Sequence, residues 1–242
     1  MKKLGLFTNC QFDDTLCNFY QSQIKTLANE PKIELIDVMP QGTLFANDNP
    51  VINTSLFESC FRSALEYATN VLRCDVLAIA MRDTNLHSIA EEVFSEFSDN
   101  CPPDVQFVSL SKCAVTACNH YKRITRPGIL CVNDIDYDSI TRTRFEEAGY
   151  QIVSILDPDN IDELNRRSII VLEANHTLHP DADELRYICG VVESAAKNAH
   201  INGILCYGYL ELCQVLNQGG TRPHVIDLVD VHVNSIVKTI LS

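Results

Sequence analysis

The stretch Val76-Leu77-Ala78-Ile79-Ala80 leads directly into Met81-Arg82-Asp83-Thr84-Asn85-Leu86-His87. An unbroken apolar run that ends in polar residues and a helical pattern is typical of a buried parallel strand entering a helix. A second junction of this kind lies in the other half of the chain, where Gly203-Ile204-Leu205 leads into Cys206-Tyr207-Gly208-Tyr209-Leu210-Glu211-Leu212. One such junction in each half indicates two related α/β units.

Short apolar runs alternate with helical patterns along the rest of the chain. Because continuous apolar strands separated by helices are typical of parallel sheets covered on both faces, we predict an α/β fold. Ser55 and Glu58 form a capping-box pattern at the start of one predicted helix. The predicted strands are Leu4–Phe7, Ile33–Val38, Val76–Ala80, Val105–Leu110, Gly128–Val132, Gln151–Ile155, Gly203–Tyr207 and Val225–Leu228.

Two stretches rich in turn-forming residues predict the domain boundaries. The first is Asn100-Cys101-Pro102-Pro103-Asp104, and the second runs from Asn217 to Pro223. Since Pro and Gly interrupt regular structure, we divide the chain at these places. The first α/β domain then comprises residues 1–100 plus a return segment at 218–242, and the second comprises residues 101–217.

Charge and cysteine content exclude several classes of protein. The 242 residues carry a net charge of -13, which disfavours nucleic acid and anionic membranes as partners. The 11 cysteines are odd in number and form no C-x-x-C pair, so reduced thiols and a cytoplasmic location are expected. The N-terminal apolar run is too short for a signal peptide, and no stretch approaches the roughly 20 apolar residues of a membrane span.

Metal and nucleotide sites are not predicted. His176 and His179 have zinc-like spacing, but further ligands are missing from the pattern. Asp157, Asp159 and Asp162 surround Pro158, which does not fit a calcium loop, so these residues are expected to cap a helix. No glycine-rich phosphate loop is present.

Taken in order, these segments resemble the Asp/Glu racemase family, and the aspartate racemases in particular. In that family the first junction contains Cys-Asn-Thr-Ala-His and the second contains Gly-Cys-Thr-Glu-Leu. The residues that match family positions are Thr15 and Tyr20 on the first helix, Asp83, Thr84 and His87 at the first junction, Gly208, Glu211 and Leu212 at the second, and His232 on the last helix.

The two cysteines that carry the family's reaction have no counterpart at the matching positions. Arg82 falls at the first cysteine, or Met81 in a register without an insertion. Tyr209 falls at the second, or Cys206 with a shorter spacing. Arginine keeps its proton in proteins and methionine has none to exchange, while a tyrosine hydroxyl with a reference pKa of about 10 is a weak base near neutral pH.

The resemblance implies two pseudo-symmetric parallel-sheet α/β domains with an inter-domain cleft. It implies no cofactor, since the family is independent of pyridoxal phosphate, and it implies a homodimer. It assigns substrate contacts to Thr15, Asp83, Thr84 and Glu211. Arg82 either binds the carboxylate of a small ligand or pairs with Asp83 or Glu211 and fills the cleft.

Three hypotheses about function follow. The first is a racemase-like protein that lacks the two-cysteine reaction and binds a small carboxylate, an amino acid or a partner. The second is a working racemase or isomerase of acidic amino acids that uses other groups, such as Cys206 or Tyr209. The third is a regulatory module that binds a protein. Whether the chain is an enzyme is left open by the sequence.

Overall fold

A computed structural model describes residues 2–8, 14–29, 31–38, 44–46, 49–51, 53–81, 84–101, 103–121, 124–131, 139–175 and 182–242. The chain divides into two compact units. Unit 1 comprises Met1–Ser111 and His232–Ser242, and unit 2 comprises Lys112–Val231. The chain therefore passes from unit 1 to unit 2 and returns at its C-terminal end.

Unit 1 contains a parallel sheet of four strands in the order β2-β1-β5-β6. A separate antiparallel hairpin, β3 with β4, was not predicted from the sequence. A turn of π-helix, Tyr67–Val71, follows the second helix. The elements are β1 (Leu4–Thr8), α1 (Asp14–Leu27), β2 (Ile33–Asp37), β3 (Leu44–Ala46), β4 (Asn49–Val51), α2 (Thr54–Glu66), β5 (Val76–Ala80), α3 (Thr84–Asp99) and β6 (Gln106–Val108).

Unit 2 contains a second parallel sheet of four strands in the order β10-β9-β7-β8. Its first helix begins in the last residues of unit 1, and its last helix continues into the C-terminal segment of unit 1. The elements are α4 (Leu110–His120), β7 (Pro127–Cys131), α5 (Ser139–Glu147), β8 (Val153–Ser154), α6 (Pro158–Asn175), α7 (Ala182–Asn198), β9 (Gly203–Tyr207), α8 (Leu210–Gln218), β10 (Val225–Asp227) and α9 (Leu228–Leu241).

The two sheets share one topology. When the strands of each parallel sheet are numbered in chain order, both sheets have the order 2-1-3-4. The third strand is central in each sheet, and it leads into a helix at its carboxyl end: β5 into α3, and β9 into α8. The eight predicted strands and the pseudo-symmetric α/β architecture are therefore confirmed.

The unit boundaries lie later in the chain than the predicted boundaries after residues 100 and 217. The segment after residue 100 belongs to unit 1 because β6 pairs with β5, with Gln106 opposite Val76. The segment after residue 217 belongs to unit 2 because β10 pairs with β9, with Val225 opposite Ile204. The turn-forming residues mark loops within each unit, and the chain crosses between units inside α4 and α9.

The start of α2 also differs from the prediction. Asn53 is the N-cap residue, and its side-chain oxygen accepts a hydrogen bond from the Leu56 backbone N–H at 3.1 Å. Ser55 already lies inside the helix, so the predicted capping box does not form the N-terminus. Asn is as good an N-cap residue as Ser. The four-residue spacing of Phe57, Phe61 and Leu65 gives the helix its buried face.

Each unit has its own hydrophobic core. In unit 1 the apolar side chains of β5 pack against aromatic residues of α2 and α3, including Phe57, Phe61 and Phe94. In unit 2 residues of α6, α7 and α8 pack on β9 and β10. No helix in the described part of the chain has the length and apolar character needed to cross a membrane.

Candidate functional site

The first junction joins the central strand of unit 1 to α3. Met81, directly after β5, is fully buried and packs in the core of unit 1. It therefore presents no surface to a ligand. Arg82 and Asp83 lie outside the described residues. Thr84 is the first residue of α3, and its side chain also lies outside the description.

The second junction joins the central strand of unit 2 to α8. Gly208 has φ +84, which a glycine adopts without the steric cost of a side chain, and this allows the chain to turn sharply out of β9. Tyr209 is the N-cap residue of α8 and makes no side-chain cap. Glu211 lies half-buried in the first turn of α8.

Tyr209 turns its ring into the core of unit 2. The residue is only 1% exposed and packs among the apolar residues of α6, α7 and α8. Its hydroxyl donates a hydrogen bond to the Oδ1 atom of Asp162 on α6, at 2.6 Å. The residue that the resemblance aligns with the family's second cysteine is thus engaged within the protein.

Asn165 provides a second link between α6 and this junction. It lies three residues after Asp162, on the same face of α6. Its Oδ1 atom accepts a hydrogen bond from the Leu212 backbone N–H at 3.2 Å. The first N–H groups of a helix lack intrahelical acceptors and bind anions readily. Here the N–H of Leu212 is satisfied by a buried amide of the protein itself.

Cys206, the thiol nearest to the second junction, is buried in the core. It is 1% exposed, and its Sγ donates to the backbone oxygen of Tyr209 at 3.7 Å. That same oxygen accepts the backbone N–H of Cys213 at 2.9 Å. Contact with the Cys206 thiol, followed by burial, raises the pKa of the Cys213 thiol. A thiol must ionise to act as a base, and this environment opposes a thiolate at Cys213.

Other thiols are also buried and protonated. Burial raises the pKa of Cys74 to about 11 and that of Cys118 to about 12. Nine cysteines in the described part of the chain are free thiols. Several of them lie in the cores of the units, as the sequence analysis predicted for small apolar side chains.

His232 is held by hydrogen bonds within unit 1. The ring is fully buried, and burial lowers its pKa to about 4, so the imidazole is neutral at physiological pH. Its Nε2 lies 3.0 Å from the backbone oxygen of Val108, and since a carbonyl only accepts, Nε2 carries the hydrogen. The bare Nδ1 therefore accepts a hydrogen bond from the Tyr20 hydroxyl at 2.9 Å.

His87 lies on α3, one turn after the first junction. The residue is 3% exposed, and its Nε2 lies 3.6 Å from the Oε1 atom of Glu91. Glu91 is itself buried and accepts hydrogen bonds from Ser109, Ser111 and the Leu110 N–H. This group of polar residues adjoins the carboxyl end of β6.

The predicted site residues occupy both units. In unit 1, Thr15 is exposed on α1 and Thr84 begins α3. In unit 2, Tyr209 and Cys206 are in contact, and Glu211 lies one turn into α8. The structure thus brings together Cys206 and Tyr209, and it joins Tyr209 to a residue that the sequence did not assign to the site.

Sequence reasoning missed the roles of Asp162, Asn165 and Glu91. Asp157, Asp159 and Asp162 were predicted to cap a helix. Asp157 does so, with its Oδ1 accepting the Asn160 N–H at 3.0 Å, whereas Asp162 accepts the Tyr209 hydroxyl. The sequence signal available for Asp162 and Asn165 is their spacing of three residues, which places two polar groups on one helical face. The sequence signal available for Glu91 is its spacing of four residues from His87 on an otherwise apolar helical face.

The described residues contain no group of three or more His, Cys, Asp or Glu side chains arranged to hold a metal ion. The His176–His179 pair and its neighbour Asp181 lie outside the described residues. A groove of about 530 Å³ lies along α7 in unit 2 and includes Leu156 and Arg186. None of the predicted site residues lines this groove.

Comparisons with known proteins establish the fold. An aspartate racemase homologue from Pyrococcus horikoshii superposes with a TM-score of 0.72 at 15% identity, covering 100% of both chains. A candidate Asp/Glu racemase from Yersinia pestis gives 0.67 at 14% identity, again with 100% coverage of both. Picrophilus torridus aspartate racemase gives 0.60 at 10% identity, covering 99% of this chain and 94% of that one.

No protein-family model and no curated protein matches the chain. At identities of 10–15% the likeness is one of fold and does not carry over the activity of the other proteins. The resemblance predicted from the two strand-to-helix junctions is confirmed at that level: the chain has the fold of the Asp/Glu racemases.

Proposed function

We propose that this protein is a racemase-like protein that lacks the two-thiol racemase reaction and binds a small carboxylate. The loss of the racemase reaction is inferred from the contacts of the side chains at the second junction. The side chain at the cysteine position, Tyr209, is buried and bonded to Asp162, and the nearest thiol, Cys206, donates to a backbone oxygen in the core. Racemisation by two bases needs a proton acceptor and donor facing the substrate from both sides.

Tyr209 is poorly placed to act as that acceptor. Its hydroxyl already donates to a carboxylate, so removing the proton would leave two negative charges 2.6 Å apart. Cys206 would have to leave the core and break its contact with the Tyr209 backbone oxygen. The contacts of Tyr209 and Cys206 therefore support a role for both residues in stabilising the second junction.

Carboxylate binding is supported by the position of Arg82. In the sequence, Arg82 stands between the last residue of β5, a central strand of a parallel sheet, and the first residue of α3. Ligands of open α/β sheets bind at the carboxyl ends of the strands, and helix N-termini favour anions. Arginine can donate two parallel hydrogen bonds to a carboxylate. On the resemblance alone, we place Thr15, Asp83 and Thr84 of unit 1 around the same ligand.

Calorimetric titration with succinate and with L-aspartate tests this half of the proposal. Wild-type protein should bind at least one of them, and Arg82→Gln should weaken that binding at least about tenfold, the loss expected for a charge-assisted pair. The matched control is Arg222→Gln, which removes an exposed arginine in unit 2 and should leave the affinity unchanged. Equal affinity in wild type and Arg82→Gln would reject Arg82 as the binding residue.

One observation favours the second hypothesis, a working isomerase. The Tyr209 hydroxyl and the Asp162 carboxylate form a short hydrogen-bonded pair, and such a pair can pass a proton between its members. This hypothesis predicts exchange of a substrate α-proton with solvent. It also predicts that Tyr209→Phe, or Cys206→Ala if the thiol takes part, abolishes the exchange.

A further inference from the structure

The chain crosses between the two units at two places. It leaves unit 1 after Ser111 and returns at His232. The segment Val108–Ser111, which ends at the first crossing, joins β6 to α4. His232 lies within α9, directly after the second crossing. The two crossings are 120 residues apart in sequence, since unit 2 spans Lys112–Val231.

Glu91 on α3 holds the first crossing through three hydrogen bonds. Its Oε1 atom accepts the Leu110 backbone N–H at 2.9 Å. Its Oε2 atom accepts the hydroxyls of Ser109 at 2.6 Å and of Ser111 at 2.8 Å. The carboxylate thus satisfies the first N–H of α4, whose N-terminus favours a negative charge. Glu91 is 1% exposed, so water cannot readily replace it.

The second crossing is bonded to the same segment through His232. His232 Nε2 donates to the Val108 backbone oxygen at 3.0 Å, next to the residues that Glu91 holds. The Tyr20 hydroxyl on α1 fixes the other ring nitrogen of His232. All of these residues belong to unit 1. They form one connected set that runs from α3 through Val108–Ser111 to α9 and α1.

We propose that this set is a clasp that fixes both crossings together, with Glu91 as its anchor. Because Val108–Ser111 is bonded both to Glu91 and to His232, loosening the segment at Glu91 also removes the fixed acceptor of His232. Residues around His232 then open more often. This inference does not depend on whether the protein binds a carboxylate.

Native-state hydrogen exchange measured by mass spectrometry tests the clasp. In Glu91→Gln, amide exchange should rise at least about tenfold at residues 109–113 and also at residues 230–235, because a buried charge-assisted acceptor is lost. Exchange in β7 and β9 should stay at the wild-type rate. The matched control is Glu66→Gln, which removes an exposed charge on α2 and should change neither segment.

A second variant tests the same coupling from the opposite end. Tyr20→Phe keeps the ring but removes the hydroxyl that fixes His232, so exchange should rise at residues 109–113 as well as at 230–235. This variant also serves if Glu91→Gln fails to fold. An increase confined to the segment nearest each substitution, or no increase in either, would overturn the proposal.

Discussion

At the scale of single residues, the second junction depends on what Tyr209 contacts. The sequence placed Tyr209 at the family's cysteine position but gave no partner for its hydroxyl. The structure supplies Asp162, 47 residues earlier on α6. Such a contact depends on how two distant helices pack, and no local pattern encodes it. The place of Tyr209 at the second junction was therefore predictable from the sequence, whereas the burial of its ring was not.

The hydrogen bond between Tyr209 and Asp162 predicts a measurable coupling. Tyr209→Phe keeps the packed ring and should lower the free energy of unfolding by about 1 kcal/mol, the net value of such a bond. Asp162→Asn should cost a similar amount, and the double variant should cost less than the sum, with a coupling of about 0.5–1 kcal/mol. Urea unfolding of wild type, the two single variants and the double variant measures these free energies.

Tyr67→Phe is the control for that cycle, because Tyr67 is 50% exposed and its hydroxyl is accessible to water. It should change stability by less than about 0.5 kcal/mol. Strictly additive effects of Tyr209→Phe and Asp162→Asn would contradict the contact.

His232 predicts a loss of stability in acid. Its pKa in the folded protein is about 4, below the ordinary value of 6.5, because burial opposes the charged ring. The folded state therefore binds fewer protons than the unfolded state between these values. The stability contribution is complete above pH 6.5 and is lost as the pH falls towards 4, amounting to about 3 kcal/mol in total.

Urea unfolding of wild type and His232→Gln across pH 3.5–7.5 measures this contribution. The variant should be less stable near neutral pH, and the difference between the two proteins should narrow as the pH falls from about 6.5 to about 4. His224→Gln removes an exposed histidine and should follow the wild-type profile. A constant gap between wild type and His232→Gln over the whole range would disprove the assignment.

At the scale of secondary structure, the sequence predicted the strands well, because they are apolar runs. It predicted the starts of the helices less well. A parallel strand that is buried on both faces is a nearly continuous apolar run, so β1, β5 and β9 are readily recognised between turns. Helix starts depend on one side-chain hydrogen bond, and Asn53 and Ser55 are both good candidates by residue type. The short hairpin β3–β4 has no comparable pattern and was missed.

The cap of α2 gives a direct comparison of the sequence prediction with the structure. Asn53→Ala should lower the free energy of unfolding by about 1 kcal/mol, because it leaves the Leu56 N–H without its acceptor. Ser55→Ala, at the position the sequence favoured, should change it by less than about 0.5 kcal/mol. Thermal unfolding of both variants measures the difference, and a larger effect at Ser55 would restore the capping-box prediction.

Substitution of two glycines by alanine should change the stability of the protein in opposite directions. A Cβ at Gly203, in β9, would meet side-chain atoms of Ile124 at 2.6–2.9 Å, so Gly203→Ala should destabilise unit 2 by about 1–3 kcal/mol. Gly190, exposed in the middle of α7, has nothing within 4 Å of its Cβ position. Gly190→Ala should therefore stabilise by about 0.5–1 kcal/mol.

Melting temperatures of the two glycine variants, measured side by side, check this pair. Gly203→Ala should melt below wild type and Gly190→Ala above it. A melting temperature of Gly203→Ala at or above that of wild type would show that the close approach of Ile124 to β9 does not constrain unit 2. A melting temperature of Gly190→Ala below that of wild type would contradict the open space at Gly190.

At the scale of the whole molecule, two sheets of the same 2-1-3-4 order explain why both halves contain a strand-to-helix junction. The sequence predicted this repetition from β5 and β9 alone, because a central strand and the helix after it leave a distinctive pattern. The points where the chain crosses between units could not be predicted, since they lie inside the helices α4 and α9 and no Pro or Gly marks them.

The central claim is that an Asp/Glu racemase fold is present here without the two-thiol reaction. The most direct test is proton NMR of the protein in heavy water with the L- and D-forms of aspartate and glutamate. Our account predicts that every α-proton signal persists as it does without protein. Disappearance of an α-proton signal with the wild-type protein would contradict the account. If the signal then persists with Tyr209→Phe or Cys206→Ala, that variant identifies the base at the second junction.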